Sequence, residues 1–197
     1  MAAIIEHEKR KHEILQKSLD VFMDEGYDDV TFQKIADRCG ITRTTLYIYF
    51  KNKREIFLWS IKELTQNLEQ KLLAITSDKS LEAPLALKKI TYTIIDSCIE
   101  NKKLFNVLLA YLMQLQKSGG DSGEKVRRRV IRLRHLLTSK IVEGEKKGQL
   151  KISSVKDANE LLYSLIESAI FRLSILNQDK LDEVYGAIDI AIAGMTK

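Results

Sequence analysis

Proline is nearly absent from this chain of 197 residues, which contains one proline and nine glycines. Proline breaks the hydrogen-bond ladder of a helix, and glycine weakens a helix by about 1 kcal/mol, so their scarcity favours long helices. Alternation of apolar and polar residues, the pattern of a half-buried strand, is also missing. We therefore predict an all-α protein of about nine helices.

Cysteine is scarce as well, because only Cys39 and Cys98 occur and they lack the close spacing of a metal or redox motif. Reduced thiols are the expected state. The chain opens without the pattern of a signal peptide, and no apolar run approaches the roughly 18 residues of a membrane span. We therefore expect a cytoplasmic protein that does not enter a membrane.

Catalytic and metal-binding motifs are also lacking. His7 and His12 are about 140° apart around a helix, so they share no ligand face, and His135 stands alone. The run Gly120-Asp-Ser-Gly123 resembles a serine-protease fragment, but it lies in a predicted loop without a scaffold for a histidine base and an oxyanion hole. We predict no enzymatic activity, no cofactor and no metal site.

What the chain does contain is a helix-turn-helix pattern between Thr31 and Phe50. Thr31 can cap a first helix, whose apolar face consists of Phe32, Ile35, Ala36 and Cys39. Gly40 can end that helix in the left-handed conformation, and Thr42 can cap a second helix. Leu46 and Phe50 share one side of the second helix. The side chains left to face outward or sideways are Arg43, Thr44, Thr45, Tyr47 and Tyr49. In proteins with this motif, the second helix enters the major groove of DNA.

The side chains of this segment suit DNA. Arginine and threonine can contact base edges, whereas hydroxyl and ammonium groups hold phosphates. We predict base contacts by Arg43, Thr44, Thr45 and Tyr49, and phosphate contacts by Thr31, Thr42, Tyr47, Lys51 and Lys53. Residues 34–54 carry six basic side chains and one acidic side chain, a net charge of +5. Double-stranded DNA is therefore the expected partner.

At these residues the chain resembles the TetR-type transcriptional repressors. The resemblance covers residues 8–68 and rests on Ile14-Leu15, Leu19, Phe22, Gly26-Tyr27, Thr31, Ile35-Ala36, Gly40-Ile41-Thr42, Leu46-Tyr47, Tyr49-Phe50 and Lys51-Asn52-Lys53. Tyr49 and Cys39 depart from it, standing where the family often has His and Ala. The resemblance implies a homodimer formed by the last two helices, predicted at residues 154–176 and 180–195, and a cavity for a small-molecule effector.

We expect two domains, a DNA-binding domain at residues 8–68 with its helix-turn-helix at 31–50, and an effector-binding and dimerisation domain at residues 69–197. The boundary lies inside a predicted fourth helix that starts near Lys53. Residues 1–7 should form a frayed arm, and a sixth helix at residues 104–116 should be buried, because it is apolar nearly all round.

Aromatic and polar side chains of the fourth to eighth helices could line the effector pocket. The candidates are Trp59, Tyr92, Cys98, Phe105, Tyr111, Met113, Tyr163, Glu167 and Phe171. Ordinary core packing would explain most of them equally well. Glu167 differs from the others, because a carboxylate in an apolar stretch needs either a partner or contact with water.

The predicted function is therefore a sequence-specific transcriptional repressor that a small-molecule effector releases from a near-palindromic operator. Two alternatives remain open. The first is a DNA-binding regulator without a small-molecule inducer, either an activator or a regulator controlled by a protein. The second is a helical ligand carrier or enzyme that retains a vestigial helix-turn-helix.

Overall fold

The computed structural model describes the backbone of residues 2–117 and 123–197, and it describes their side chains except at residues 2–4, 64, 123–127 and 129. Nine helices make up this described part: α1 Ala2–Asp29, α2 Phe32–Cys39, α3 Arg43–Tyr49, α4 Lys53–Ser77, α5 Ala83–Glu100, α6 Lys102–Lys117, α7 Gly123–Lys146, α8 Val155–Ser174 and α9 Asp182–Met195. The all-α prediction is confirmed. The predicted loop around the run Gly120–Gly123 falls largely outside the described residues.

The helix ends follow local capping chemistry. The Thr31 hydroxyl accepts a hydrogen bond from the Lys34 N–H at 3.2 Å, which fixes the start of α2. Gly40 ends α2 at φ 68°, a left-handed conformation that favours glycine, and its N–H donates to the carbonyls of Ala36 and Asp37. Pro84 lies in the first turn of α5, where its missing N–H leaves no hydrogen bond unmade.

Two segments differ from the sequence prediction. Residues 2–7 continue α1 as regular helix, so the predicted frayed arm is wrong for them. Helix α6 buries one face, formed by Leu104, Val107 and Tyr111, whereas Met113 is 60% exposed in the subunit. The prediction that α6 is buried on all sides is therefore wrong, because its buried positions share a single helical stripe.

The chain packs as two compact units. The first contains the residues up to Asn67 together with Lys103–Gln114, and the second contains Leu68–Lys102 and Leu115–Lys197. The division falls inside α4, so no separate linker joins the units there. The functional boundary at residues 68 and 69 stays a prediction.

Aromatic rings form the centre of the first unit. Phe57 is fully buried, and its ring centroid lies 5.0 Å from that of Phe22 and 5.1 Å from those of Tyr27 and Tyr111. Arg54 donates a hydrogen bond from Nε to the Tyr111 hydroxyl at 3.0 Å. These contacts hold α1, the first turns of α4 and the middle of α6 in one core, which supports α2 and α3.

The second unit is a helical core built from α5, α7, α8 and α9. Its fully buried side chains include Leu87, Ile90, Ile95, Leu137, Ile141, Leu162 and Ile188. Gly144 lies where α7 approaches α5, and a Cβ added there would be 2.6 Å from the Ala83 Cβ.

Burial raises the pKa of the Cys98 thiol in this core to about 12, so the thiol stays protonated and unreactive. In the described part of the chain, no helix is both long and apolar enough to span a bilayer.

An ion-pair cluster on α7 predicts a loss of stability in acid. Lys140, which is 3% exposed, and Lys147 contact the Glu143 carboxylate at 2.8 and 2.6 Å. Their hydrogen bonds lower the pKa of Glu143 from 4.5 to about 2. The folded-state pKa is therefore below the unfolded value, so the contribution to stability is complete above about pH 4.5 and is lost as the pH falls towards 2.

We expect Glu143→Gln to flatten the dependence of the free energy of unfolding on pH across this window. Urea denaturation between pH 2 and 5 measures that dependence. The exposed Glu145 provides a control, because Glu145→Gln makes the same chemical change two residues away. Equal slopes for wild type and Glu143→Gln would show that the cluster does not stabilise the fold.

Candidate nucleic-acid interface

Helix α3 is anchored in the first unit by one side. Leu46 of α3 and Phe50, which directly follows the helix, are buried. Successive residues of a helix are about 100° apart around its axis. Thr44 and Ile48 are each two residues from Leu46, so they lie about 200° from the anchored side. Both are exposed, and Ile48 reaches 69% exposure. The outermost ridge of α3 is therefore formed by Thr44 and Ile48.

One flank of this ridge carries Arg43 and Tyr47. The Tyr47 ring packs against Phe32 of α2 with a centroid distance of 4.5 Å. Arg43 donates a hydrogen bond from Nη2 to the Tyr47 hydroxyl at 3.2 Å, and its guanidinium lies 5.7 Å from the ring centroid. Tyr47 thus restrains Arg43 at the exposed surface, which reduces the side-chain entropy that Arg43 would lose on contacting DNA.

The opposite flank carries Thr45 and Tyr49, which are partly buried. Thr42 caps α3 by accepting from the Thr45 N–H at 3.0 Å, and the two threonine hydroxyls are 2.8 Å apart. The Tyr49 ring stacks on His7 of α1 with a centroid distance of 4.8 Å. These contacts turn Thr45 and Tyr49 towards the rest of the unit, so Arg43 and Thr44 are the more accessible of the four predicted base-contacting residues.

The predicted phosphate-contacting residues divide into two groups. Thr31 and Thr42 are helix caps at the exposed surface, and Lys51 is exposed. Lys53 differs, because its Nζ donates hydrogen bonds to the carbonyls of Tyr27, Asp28 and Val30 at 2.9, 2.9 and 2.8 Å. The three donors of an ammonium group are thereby used at the end of α1.

We expect Lys53→Met to lower the free energy of unfolding by about 1–3 kcal/mol, because carbonyls at the end of α1 lose a charged donor. The matched Lys51→Met should leave the free energy of unfolding within about 0.5 kcal/mol of the wild-type value. It should also reduce the slope of log affinity for DNA against log salt concentration by about one unit. Urea denaturation and DNA titrations at several salt concentrations measure the two effects. An unchanged stability for Lys53→Met, together with a salt dependence of DNA binding reduced by about one unit, would assign Lys53 to phosphate contact instead.

The basic excess counted along residues 34–54 is partly neutralised within the unit. Lys34 forms an ion pair with Glu25, and Arg38 lies 3.9 Å from the Asp24 carboxylate. Arg43 and Lys51 remain as exposed cations beside the ridge of α3. The electrostatic attraction to DNA is thus concentrated at α3 and the residues that follow it.

The predicted effector-pocket residues do not lie in one unit. Trp59, Phe105, Tyr111 and Met113 belong to the first unit, and Tyr92, Cys98, Tyr163, Glu167 and Phe171 belong to the second. Tyr111 is part of the aromatic core described above, whereas Glu167 and Phe171 are exposed in the subunit. Tyr92 packs against Tyr185 of α9, with ring centroids 4.5 Å apart. The pocket therefore stays a prediction.

Sequence reasoning missed two residues of this interface. Ile48 is not among the side chains that the sequence analysis places outward, although its angular distance of about 200° from Leu46 predicts the exposure that the structure shows. The stacking of His7 on Tyr49 carried no local signal, because the two residues are far apart in the sequence.

A helix-turn-helix whose second helix is anchored on one side and exposed on the other has the arrangement with which DNA-binding proteins enter the major groove. Residues 14–58 match the family model of the bacterial regulatory proteins of the tetR family. Residues 14–58 therefore carry a DNA-binding domain of the TetR type, and the chain is a DNA-binding transcriptional regulator.

Three relatives illustrate the similarity. The fatty acid metabolism regulator protein of Bacillus subtilis (strain 168) is 22% identical over 173 residues, which cover 87% of each chain. A TetR transcription regulator from Haloarcula marismortui has a TM-score of 0.80 and 19% identity, covering 96% of this chain and all of its own. The fatty acid degradation regulator FadR from Bacillus halodurans has a TM-score of 0.70 and 17% identity, covering 93% of both chains.

Proposed function

We propose that this regulator is a repressor that binds a near-palindromic operator as a homodimer and is released by a small-molecule effector. The observation that carries the dimer is the exposed apolar surface at α8 and α9. Its exposed side chains are Leu161, Phe171, Ile175, Leu176 and Ile190. Leu161, Phe171 and Ile175 fall within about 80° around α8. Clustered apolar surface of this kind is typical of a protein interface.

The face of α9 around Ile190 has the shape needed for close helix packing. Gly186 and Gly194 lie one turn before and one turn after Ile190. A Cβ added at either glycine would meet nothing within 4 Å, so the surface beside Ile190 is open in the subunit. A partner helix could approach the α9 backbone there and cover the isoleucine. We propose that α8 and α9 of two subunits form this interface.

DNA recognition supplies an independent reason for two subunits. Helix α3 has seven residues, so one copy covers only a few base pairs of the major groove. Two copies on a two-fold axis would read half-sites about 34–36 Å apart, which gives a near-palindrome. We place this activity in the cytoplasm, because the matching family is one of bacterial regulatory proteins and bacterial chromosomal DNA lies there.

We propose a fatty acid or another molecule with a fatty acyl chain as the effector. Two relatives with similarity along most of their length are named as regulators of fatty acid metabolism or degradation. Release requires that the effector bind more tightly to a conformation that fits the operator poorly. A 100-fold preference corresponds to about 2.7 kcal/mol of coupling.

Selection of bound sequences from random double-stranded DNA tests the proposal. We expect an enriched near-palindrome, and we expect titration with fatty acids of increasing chain length to release it. Reporter expression from that operator should rise when the regulator is deleted. A palindrome that no acyl compound releases would overturn the proposed effector class and favour an uninduced or protein-controlled regulator. A fall in reporter expression on deletion would instead identify an activator.

A further inference from the structure

We propose that Ile48 is a specificity-determining residue that contacts a thymine methyl group in each half-site, with Thr44 supporting it one turn earlier. The inference rests on the DNA-binding function of α3, but it does not depend on the effector or on the sign of regulation. Its basis is the orientation of α3, which leaves Thr44 and Ile48 as the outermost ridge of the recognition helix.

Exposure alone would not support this role, because isolated apolar side chains are common on protein surfaces. The position of Ile48 is what matters. Leu46 and Phe50 hold the opposite side of α3 in the core, so the ridge cannot turn inward without dismantling the unit. When α3 enters a major groove with its anchored side facing away from the DNA, Ile48 meets the edges of the base pairs.

The flanks of α3 reinforce this orientation. Tyr47 is held against Phe32 on one side, and Tyr49 is stacked on His7 on the other. Neither phenol ring can swing over the ridge without losing its packing partner. Ile48 is therefore left uncovered at the point where α3 protrudes furthest, and it is 69% exposed.

The chemistry of the side chain selects the base. Isoleucine can neither donate nor accept a hydrogen bond, so it cannot read the polar groups that distinguish most base edges. Thymine is the base that presents an apolar group, its C5-methyl, in the major groove. Thr44 adds a methyl group on the same ridge, about 5–6 Å from Ile48 at the level of Cβ. The structure thus predicts a thymine at the position that Ile48 faces.

Deoxyuridine substitution tests this contact, because it removes the thymine methyl and leaves the hydrogen-bonding groups unchanged. Each thymine of the selected operator half-site is replaced in turn, and affinity is measured for wild type and for Ile48→Ala. We expect one position where the replacement weakens wild-type binding about fourfold, which corresponds to the burial of one methyl group. At that position the deoxyuridine replacement should weaken DNA binding by the Ile48→Ala variant less than about 1.5-fold, because the variant already lacks the contact.

Two further variants separate contact from folding. Ile48→Val retains part of the apolar contact and should show an intermediate response to deoxyuridine. Ile131→Ala removes the same atoms from an isoleucine of α7 that is 47% exposed, and it should respond as wild type does. Thermal unfolding should be unchanged for each variant, because these side chains are exposed.

Two results would overturn the proposal. One is a wild type that binds the selected operator but is insensitive to deoxyuridine at every position. The other is an equal deoxyuridine loss in wild type and Ile48→Ala, which would make Ile48 a bystander. Both results leave DNA binding itself intact, so they are distinguishable from a failure of the proposed repressor function, in which no palindrome is enriched or released.

Discussion

Replacement of Phe57 with alanine should lower the free energy of unfolding by about 3–5 kcal/mol, the range for large aromatic side chains in cores. Phe57 is fully buried and its ring touches those of Phe22, Tyr27 and Tyr111. Truncation would leave a cavity between the remaining rings, which α1 and α6 contribute. Rings held by flanking helices cannot collapse fully into that space. The decrease in the free energy of unfolding should therefore include both the lost burial of the removed ring and the cost of the cavity left behind.

The single tryptophan of the chain makes this measurement direct, since Trp59 lies in α4 within the same unit. Urea denaturation followed by its fluorescence reports the unfolding of that unit. Met113→Ala is the matched control, because Met113 belongs to the same unit and is 60% exposed. Its effect should remain within about 0.5 kcal/mol. A loss below about 1 kcal/mol for Phe57→Ala would contradict the packing described here.

Replacement of Ile190 with glutamate should convert the regulator to monomers and weaken operator binding by about a hundredfold or more, equivalent to about 2.7 kcal/mol. Ile190 is 76% exposed in the subunit, so the substitution should not disturb the subunit fold. At the proposed interface the same carboxylate would be buried without a partner, which opposes association. Monomers would engage one half-site at a time and lose the cooperation of two recognition helices.

Sedimentation velocity measures the association, and titration of full and half operators measures the binding. Ile131→Glu provides the control, because it makes the same change at another exposed isoleucine, on α7. This control variant should sediment with the mass of the wild type and bind the operator with unchanged affinity. A dimeric Ile190→Glu protein with normal affinity would rule out this face of α9 as the interface.

The helix-turn-helix was accessible from sequence because its determinants are local. Thr31 and Thr42 cap their helices through residues three positions away, and Gly40 supplies the left-handed end of α2. The partners of Lys53 were not accessible, because the carbonyls that it contacts lie 23–26 residues earlier and meet it only after folding. Local chemistry therefore predicted the motif, whereas tertiary packing decided which of its cations remain free.

The effector pocket shows the limit of the same reasoning. An aromatic residue in an amphipathic helix can belong to a core, a cavity wall or an interface, and its spacing is the same in each case. Tyr111 proved to be part of an aromatic core, while Phe171 is exposed on α8. The sequence pattern identified apolar helices, but it could not decide whether a given helix face packs in the core, lines a cavity or forms an interface.

The stacking of His7 on Tyr49 has a practical consequence for work with this protein. It brings the amino-terminal turns of α1 beside the recognition helix, so a purification tag fused before residue 1 would carry its own charges towards the DNA. A tag rich in lysine or arginine there would add nonspecific affinity for DNA. Binding assays should therefore use protein from which such a tag has been cleaved.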